Sequence, residues 1–76
     1  MAAPRTVDFA ALREVLPPIV WRSRWNELAD RHGLPYRRSY MEDLDAKGLG
    51  AKMSVLNGRV CYMRDDLIQW LNDRQG

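Results

Sequence analysis

Five arginines fall between residues 22 and 38, at Arg22, Arg24, Arg31, Arg37 and Arg38, and another, Arg59, directly follows an Asn57-Gly58 pair. Guanidinium groups at this density suit phosphates and guanine edges, because their planar fork matches both bidentately. Catalytic chemistry has little to work with. One Cys and one His supply neither an internal disulfide nor a structural zinc site. No nucleophile-base pair, phosphate loop or pair of catalytic carboxylates is recognisable. Cys61 has no His or Asp signature around it, and His32 lies at the end of a helical pattern, where a cation meets the helix dipole favourably. The residues point to binding rather than catalysis, with no metal and no cofactor.

The strongest local signal surrounds Asn57-Gly58. A two-residue type I′ turn needs positive φ at both central positions, which Asn and Gly tolerate best. Counting outward pairs Leu56 with Arg59, Val55 with Val60, Ser54 with Cys61 and Met53 with Tyr62. One face then carries Met53, Val55, Val60 and Tyr62, strongly apolar, and the other Ser54, Leu56, Arg59 and Cys61. After this ribbon, Arg64 or Asp65 opens a helix with Leu67, Ile68, Trp70 and Leu71, its start favoured by the carboxylates Asp65 and Asp66. Before it, Ser23 reads as the cap of a helix reaching His32, and Gly33 ends that helix in a turn that Leu34 plugs. A second helix is expected from Arg37 to Lys47, with Tyr40, Met41 and Leu44 inward and Arg38, Ser39, Glu42 and Asp45 outward; Gly48 and Gly50 end it. A helix-Gly-helix pattern followed by a ribbon with a basic tip is the sequence form of a winged helix-turn-helix, and it points to nucleic acid.

The fold class expected is therefore α+β, mostly α: helix-turn-helix, a two-stranded antiparallel wing and a C-terminal helix, with an extra N-terminal helix. Residues 1–18 form an N-terminal extension and residues 19–74 the winged unit. In the extension, Thr6 or Asp8 caps a helix from Asp8 to Leu16 that carries Phe9, Leu12, Val15 and Leu16 at helical spacing, Pro17 and Pro18 end it, and Met1 to Arg5 fray. Ile19, Val20 and Trp21 follow as a short extended run. At 76 residues, with 46% apolar content and three Trp, the chain suffices for one thin core. That core is expected to include Trp25, Leu28, Leu44, Val60, Leu67 and Trp70, with Trp21 as a further anchor. The net charge of +2 says little, but its distribution alternates: basic to Arg38, acidic at Glu42, Asp43 and Asp45, and basic again at Lys47, Lys52, Arg59 and Arg64. No signal-peptide core and no membrane-spanning run is present, so a cytoplasmic protein without membrane contact is expected.

The segment from Ile19 to Leu71 resembles the AlpA-type and excisionase-type DNA-binding proteins of phages and mobile elements, whose winged fold is related to the DNA-binding domain of MerR-type regulators. The carrying residues are Glu27-Leu28-Ala29 before Gly33-Leu34, the helix end Leu44-Asp45-Ala46-Lys47-Gly48, and the block from Asn57 to Leu71. The resemblance implies that the helix from Arg37 to Lys47 enters the major groove and that Asn57, Gly58 and Arg59 lie along the backbone or minor groove. Arg37, Arg38 and Ser39 then occupy the helix start that reaches base edges, and Glu42 is placed to accept from cytosine N4.

Further candidates complete the site. Arg22 and Arg24, beside the start of the first motif helix, are placed to clamp phosphate with its backbone N–H groups, and Tyr36 is a candidate stacking platform. The function expected is sequence-specific binding of double-stranded DNA, as an excisionase or transcriptional regulator, with an integrase or other copies of the chain as partners and no small-molecule substrate. Two alternatives are a protein-interaction module using Glu42, Asp43 and Asp45, and the DNA-binding part of a terminase small subunit. The turn itself is directly testable. Gly58→Val forces a β-branched residue into positive φ and should lower stability by about 1 kcal/mol or more, read from the midpoint of a urea melt; an unchanged midpoint means the ribbon is misplaced.

Overall fold

Each helix forms where a local stop or start signal coincides with a tertiary anchor. The computed structural model describes residues 7–75. Its regular elements are a short 3-10 helix Phe9–Glu14, β1 (Ile19–Trp21), a 3-10 turn Arg22–Arg24, α1 (Trp25–His32), α2 (Arg38–Ala46), β2 (Met53–Leu56), β3 (Arg59–Met63) and α3 (Arg64–Gln75). The result is a small α+β fold with one antiparallel sheet, ordered β1-β3-β2.

The hairpin forms in the register counted from its turn: Leu56↔Arg59, Val55↔Val60, Ser54↔Cys61 and Met53↔Tyr62. Asn57 and Gly58 hold φ of 53° and 75°. The sheet, however, has three strands rather than the two expected of a wing. Ile19, Val20 and Trp21 pair with Met63, Tyr62 and Cys61, and the Arg64 N–H donates to Pro18 O at 3.0 Å beyond the last pair. β3 is thereby central, and adjacent residues on its two faces, Cys61 and Tyr62, are both buried. The face expected to be buried is covered only at its β3 end. Tyr62 is fully buried, but Met53 and Val55 on the outer strand are 46% and 63% exposed.

The turn between α1 and α2 follows the sequence closely. Gly33 sits at φ 75°, and its N–H and that of Leu34 both donate to Ala29 O, at 2.9 and 3.2 Å, while Leu34 is buried against the core. The helix starts do not follow it. Ser23 does not cap α1; the 3-10 turn leads into the helix with Arg24 at the cap position and no side-chain cap bond. Arg37, at the cap of α2, also offers none. Instead, Asn26 of α1 accepts from the Arg38 N–H at 2.8 Å, so a neighbouring helix satisfies the first free donor of α2.

Three orientations in α2 and the N-terminal segment depart from expectation. Tyr40 is not inward; it is 40% exposed and its ring lies 5.0 Å from that of Tyr36. Asp45 is not outward, since its side chain is only 4% exposed. The first helix is a 3-10 helix, capped by Asp8, whose Oδ1 accepts from the Ala10 N–H at 3.0 Å; Thr6 and Met1 to Arg5 lie outside the described residues. It leans on α3, where Asn72 Oδ1 accepts from the Phe9 N–H at 2.9 Å, and it leaves Val15 half exposed.

Around Trp25 and Tyr62, whose rings meet edge to face at 5.7 Å, the core collects Leu16, Val20, Ala29, Leu34, Met41, Ala51, Leu67 and Leu71. Of the expected members, Trp25, Leu44 and Leu67 are buried and Leu28, Val60 and Trp70 pack at its margin. Among the described residues no helix is long and apolar enough to cross a membrane. Asn26→Ala removes the cap that α1 lends to α2. It should cost about 1 kcal/mol in chemical denaturation, with α2 amides exchanging faster, whereas Ser23→Ala should leave α1 protection intact.

Candidate nucleic-acid interface

Three arginines from three separate elements line one shallow cleft with Ser23, Gly58 and Val60: Arg22 before α1, Arg38 at the start of α2, and Arg59 after the hairpin turn. Strand pairing brings the last of these into place. Arg59 and Cys61 point to the same face of β3, and Trp21 is the β1 partner of Cys61, so Arg59 reaches diagonally across to Trp21. Its guanidinium lies 5.0 Å from the Trp21 ring centroid and Nη2 donates to Ser23 Oγ at 3.3 Å. Among the described residues Arg59 makes no ion pair with a carboxylate.

The other two carry carboxylate partners of different kinds. Arg38 Nε meets Glu42 Oε1 at 3.0 Å, one helical turn on, with both side chains close to half exposed. Such a pair contributes about 0–1 kcal/mol and yields readily to a phosphate. Arg22 Nη1 meets Asp45 Oδ2 at 3.1 Å, and the same oxygen accepts from the Tyr62 hydroxyl at 2.5 Å. Partial desolvation works against the Arg22 charge, but the interactions with Asp45 and Tyr62 outweigh it and raise its pKa further. Burial, reinforced by the neighbouring Asp45 carboxylate, pushes the Tyr62 phenol far above its ordinary value. Arg22 is therefore a strut of the cleft wall, and only partly a free donor.

The remaining sequence candidates divide plainly. Ser39 is exposed at the second position of α2, beside Arg38, and Asn57 forms the turn with Gly58. Arg37 turns back to α1 and pairs with Asp30 at 2.6 Å. Arg24 stands apart from the cleft, paired with Glu27 at 3.4 Å, and lines a second groove with Leu28, Arg31 and His32. Tyr36 is not an open stacking platform. It packs against Tyr40 and Trp70, its carbonyl accepts from Trp25 Nε1 at 2.9 Å, and its ring faces the Arg74 guanidinium, 5.5 Å from the ring centroid. Trp21, read from the sequence as a core anchor, is only partly buried and supports Arg59.

Of the three carboxylates read as a docking face, Asp45 is internal, while Glu42 and Asp43 stay on the surface, paired with Arg38 and Lys47. Three residues that shape the cleft were missed as such: Trp21, Asp45 and Tyr62. Only the alternation of β3 hinted at one of them, since Tyr62 falls on the apolar face. Among the described residues no cluster of His, Cys, Asp and Glu is arranged to hold a metal ion. Compared with known protein families, with curated proteins and with solved structures, the chain matches none.

The raised phenol pKa fixes the direction of a pH effect. A group held protonated in the folded state lends stability that is whole below its unfolded pKa, about 10 for Tyr, and that is lost as pH rises above it. Stability should therefore fall steeply above about pH 10 in the parent chain. Tyr62→Phe should cost roughly 1–3 kcal/mol near neutral pH, by leaving Asp45 short of a donor, and should flatten the alkaline loss; urea melts between about pH 7 and pH 11 measure both.

Proposed function

We propose that this chain is a winged helix-turn-helix protein that binds double-stranded DNA at specific sites and does no chemistry on it. The convergence of Arg22, Arg38 and Arg59 from three elements on one cleft carries the reading, because one duplex seated there meets guanidiniums of the helix start and of the hairpin tip together. In this arrangement α2 enters the major groove by its N-terminal end, with Arg38 and Ser39 toward base edges. The hairpin tip at Asn57, Gly58 and Arg59 rests against the sugar-phosphate backbone. The resemblance to excisionase-type and AlpA-type proteins supports a place on a phage or mobile element, in excision or in transcriptional control.

Charge pairing within the protein sets what binding must exchange. Arg59 meets a phosphate without giving up a carboxylate, while Arg38 must leave Glu42, whose own charge repels the backbone. A fluorescence-anisotropy titration with duplexes from the element's control region, at several salt concentrations, tests this. Arg59→Ala should weaken all duplexes alike and reduce the salt slope by about 1. Arg38→Ala should narrow discrimination between sites, by roughly 1–3 kcal/mol for a base contact. Glu42→Gln should tighten binding, because it frees Arg38 and removes a like charge. Absence of any salt-dependent duplex binding at low ionic strength overturns the proposal.

A further inference from the structure

The two edges of the sheet are treated differently. β1 is approached through Pro17 and Pro18, which lack backbone donors, and runs straight into a 3-10 turn, so its outer edge is short and blunt. β2 has no such protection. Its four residues, Met53, Ser54, Val55 and Leu56, contain no charge and no proline, all are exposed, and among the described residues no strand pairs with their outer side.

We propose that β2 pairs with β2 of a second copy of this chain, antiparallel about a two-fold axis at Ser54. The backbone dictates the register. The two-residue turn closes with the Leu56 carbonyl facing the Arg59 N–H, so alternation turns the backbone groups of Leu56 and Ser54 toward β3 and those of Met53 and Val55 outward. With Ser54 opposite Ser54 of the second copy, Met53 of each chain stands opposite Val55 of the other. Every outward N–H and C=O of these two residues is then used, in four hydrogen bonds. An axis at Val55 instead places the outward groups of Met53 opposite Asn57, whose φ of 53° is not extended, and the ladder fails there.

Side chains agree with that register. Met53 and Val55 share a face, so the exposed apolar surfaces of the two copies join across the seam into one continuous patch. No charged residue of β2 stands opposite a like charge, because the strand has none. What identifies the occupant as a second copy is this self-complementarity: one short, uncharged strand satisfies itself under a two-fold axis. Four residues a side bury far less than a permanent dimer needs, so the association is weak and strengthens wherever copies are concentrated. The proposal does not rest on DNA binding.

Sedimentation equilibrium of the intact chain over rising concentration is expected to show a mass climbing from one chain toward two, and Val55→Lys, on an exposed position, to remain monomeric throughout. A second measurement reads the register. In a Cys61→Ala background, which removes the internal neighbour of position 54, Ser54→Cys puts two thiols at a non-hydrogen-bonded pair about 4.5 Å apart at Cα, within disulfide reach. Met53→Cys and Val55→Cys place like thiols on diagonal sites about 7–8 Å apart, beyond it. Mild oxidation should therefore give a covalent dimer about tenfold faster from Ser54→Cys than from either neighbour. A chain that stays monomeric at its highest soluble concentration overturns the proposal, as does association that survives Val55→Lys or crosslinking indifferent to position.

Discussion

One buried carboxylate holds this structure in register. Asp45, on α2, accepts from Tyr62 at the centre of the sheet and pairs with Arg22 at the junction of β1 and α1. A charge removed from water is tolerated only when it is paired and hydrogen-bonded, and the loss of either partner leaves an expensive residue behind. The requirement fixes three elements relative to one another. It also shapes the chain that follows α2. A Cβ on Gly50 would overlap the Asp45 carboxylate and lie 3.3 Å from its backbone nitrogen, so the segment leading to β2 passes over the carboxylate only because it carries no side chain there.

That contact explains why the arginines of the cleft differ in kind. Arg22 holds the wall because Asp45 fixes it; Arg59 stays available because its support comes from a ring and a hydroxyl rather than an opposing charge. An aromatic face attracts a guanidinium without neutralising it, so the positive charge remains open to an incoming anion. Arg38 stands between these cases, paired on the surface where water keeps the exchange inexpensive. Much of the remaining basic surface is already matched: Arg37 with Asp30, Arg24 and Arg31 with Glu27, Lys47 with Asp43. Within the cleft, Arg59 is the guanidinium that carries no carboxylate partner among the described residues.

Around this polar centre the helices are held by donors and acceptors from elsewhere in the chain. Asn26 satisfies the start of α2, Asn72 the start of the first 3-10 helix, and Leu49 O accepts from Trp70 Nε1 at 3.2 Å. At the far end, Arg74 lies over Tyr36, Tyr40 and Trp70 and donates to both tyrosine hydroxyls, which fastens the last turn of α3 to the turn between α1 and α2. In so small a domain, with a core around one Trp and one Tyr, such cross-links supplement apolar burial.

What the sequence alone determined is what neighbours in the chain decide among themselves. The pairing of Leu56 with Arg59 and its three successors follows from a two-residue turn, the stop of α1 from a glycine that accepts positive φ, and the start of α3 from carboxylates in its first turn. These depend on backbone sterics and dipoles acting over a few residues. The third strand, the inward turn of Asp45, the cap from Asn26 and the seat of Arg59 on Trp21 were decided only by tertiary structure. The partners in these contacts stand 12 to 44 positions apart, and alternation or helical spacing cannot signal them. Spacing placed Asp45 outward because carboxylates prefer water. The fold placed it inward because Arg22 and Tyr62 converge there, and their combined attraction outweighs the hydration that α2 by itself would have kept.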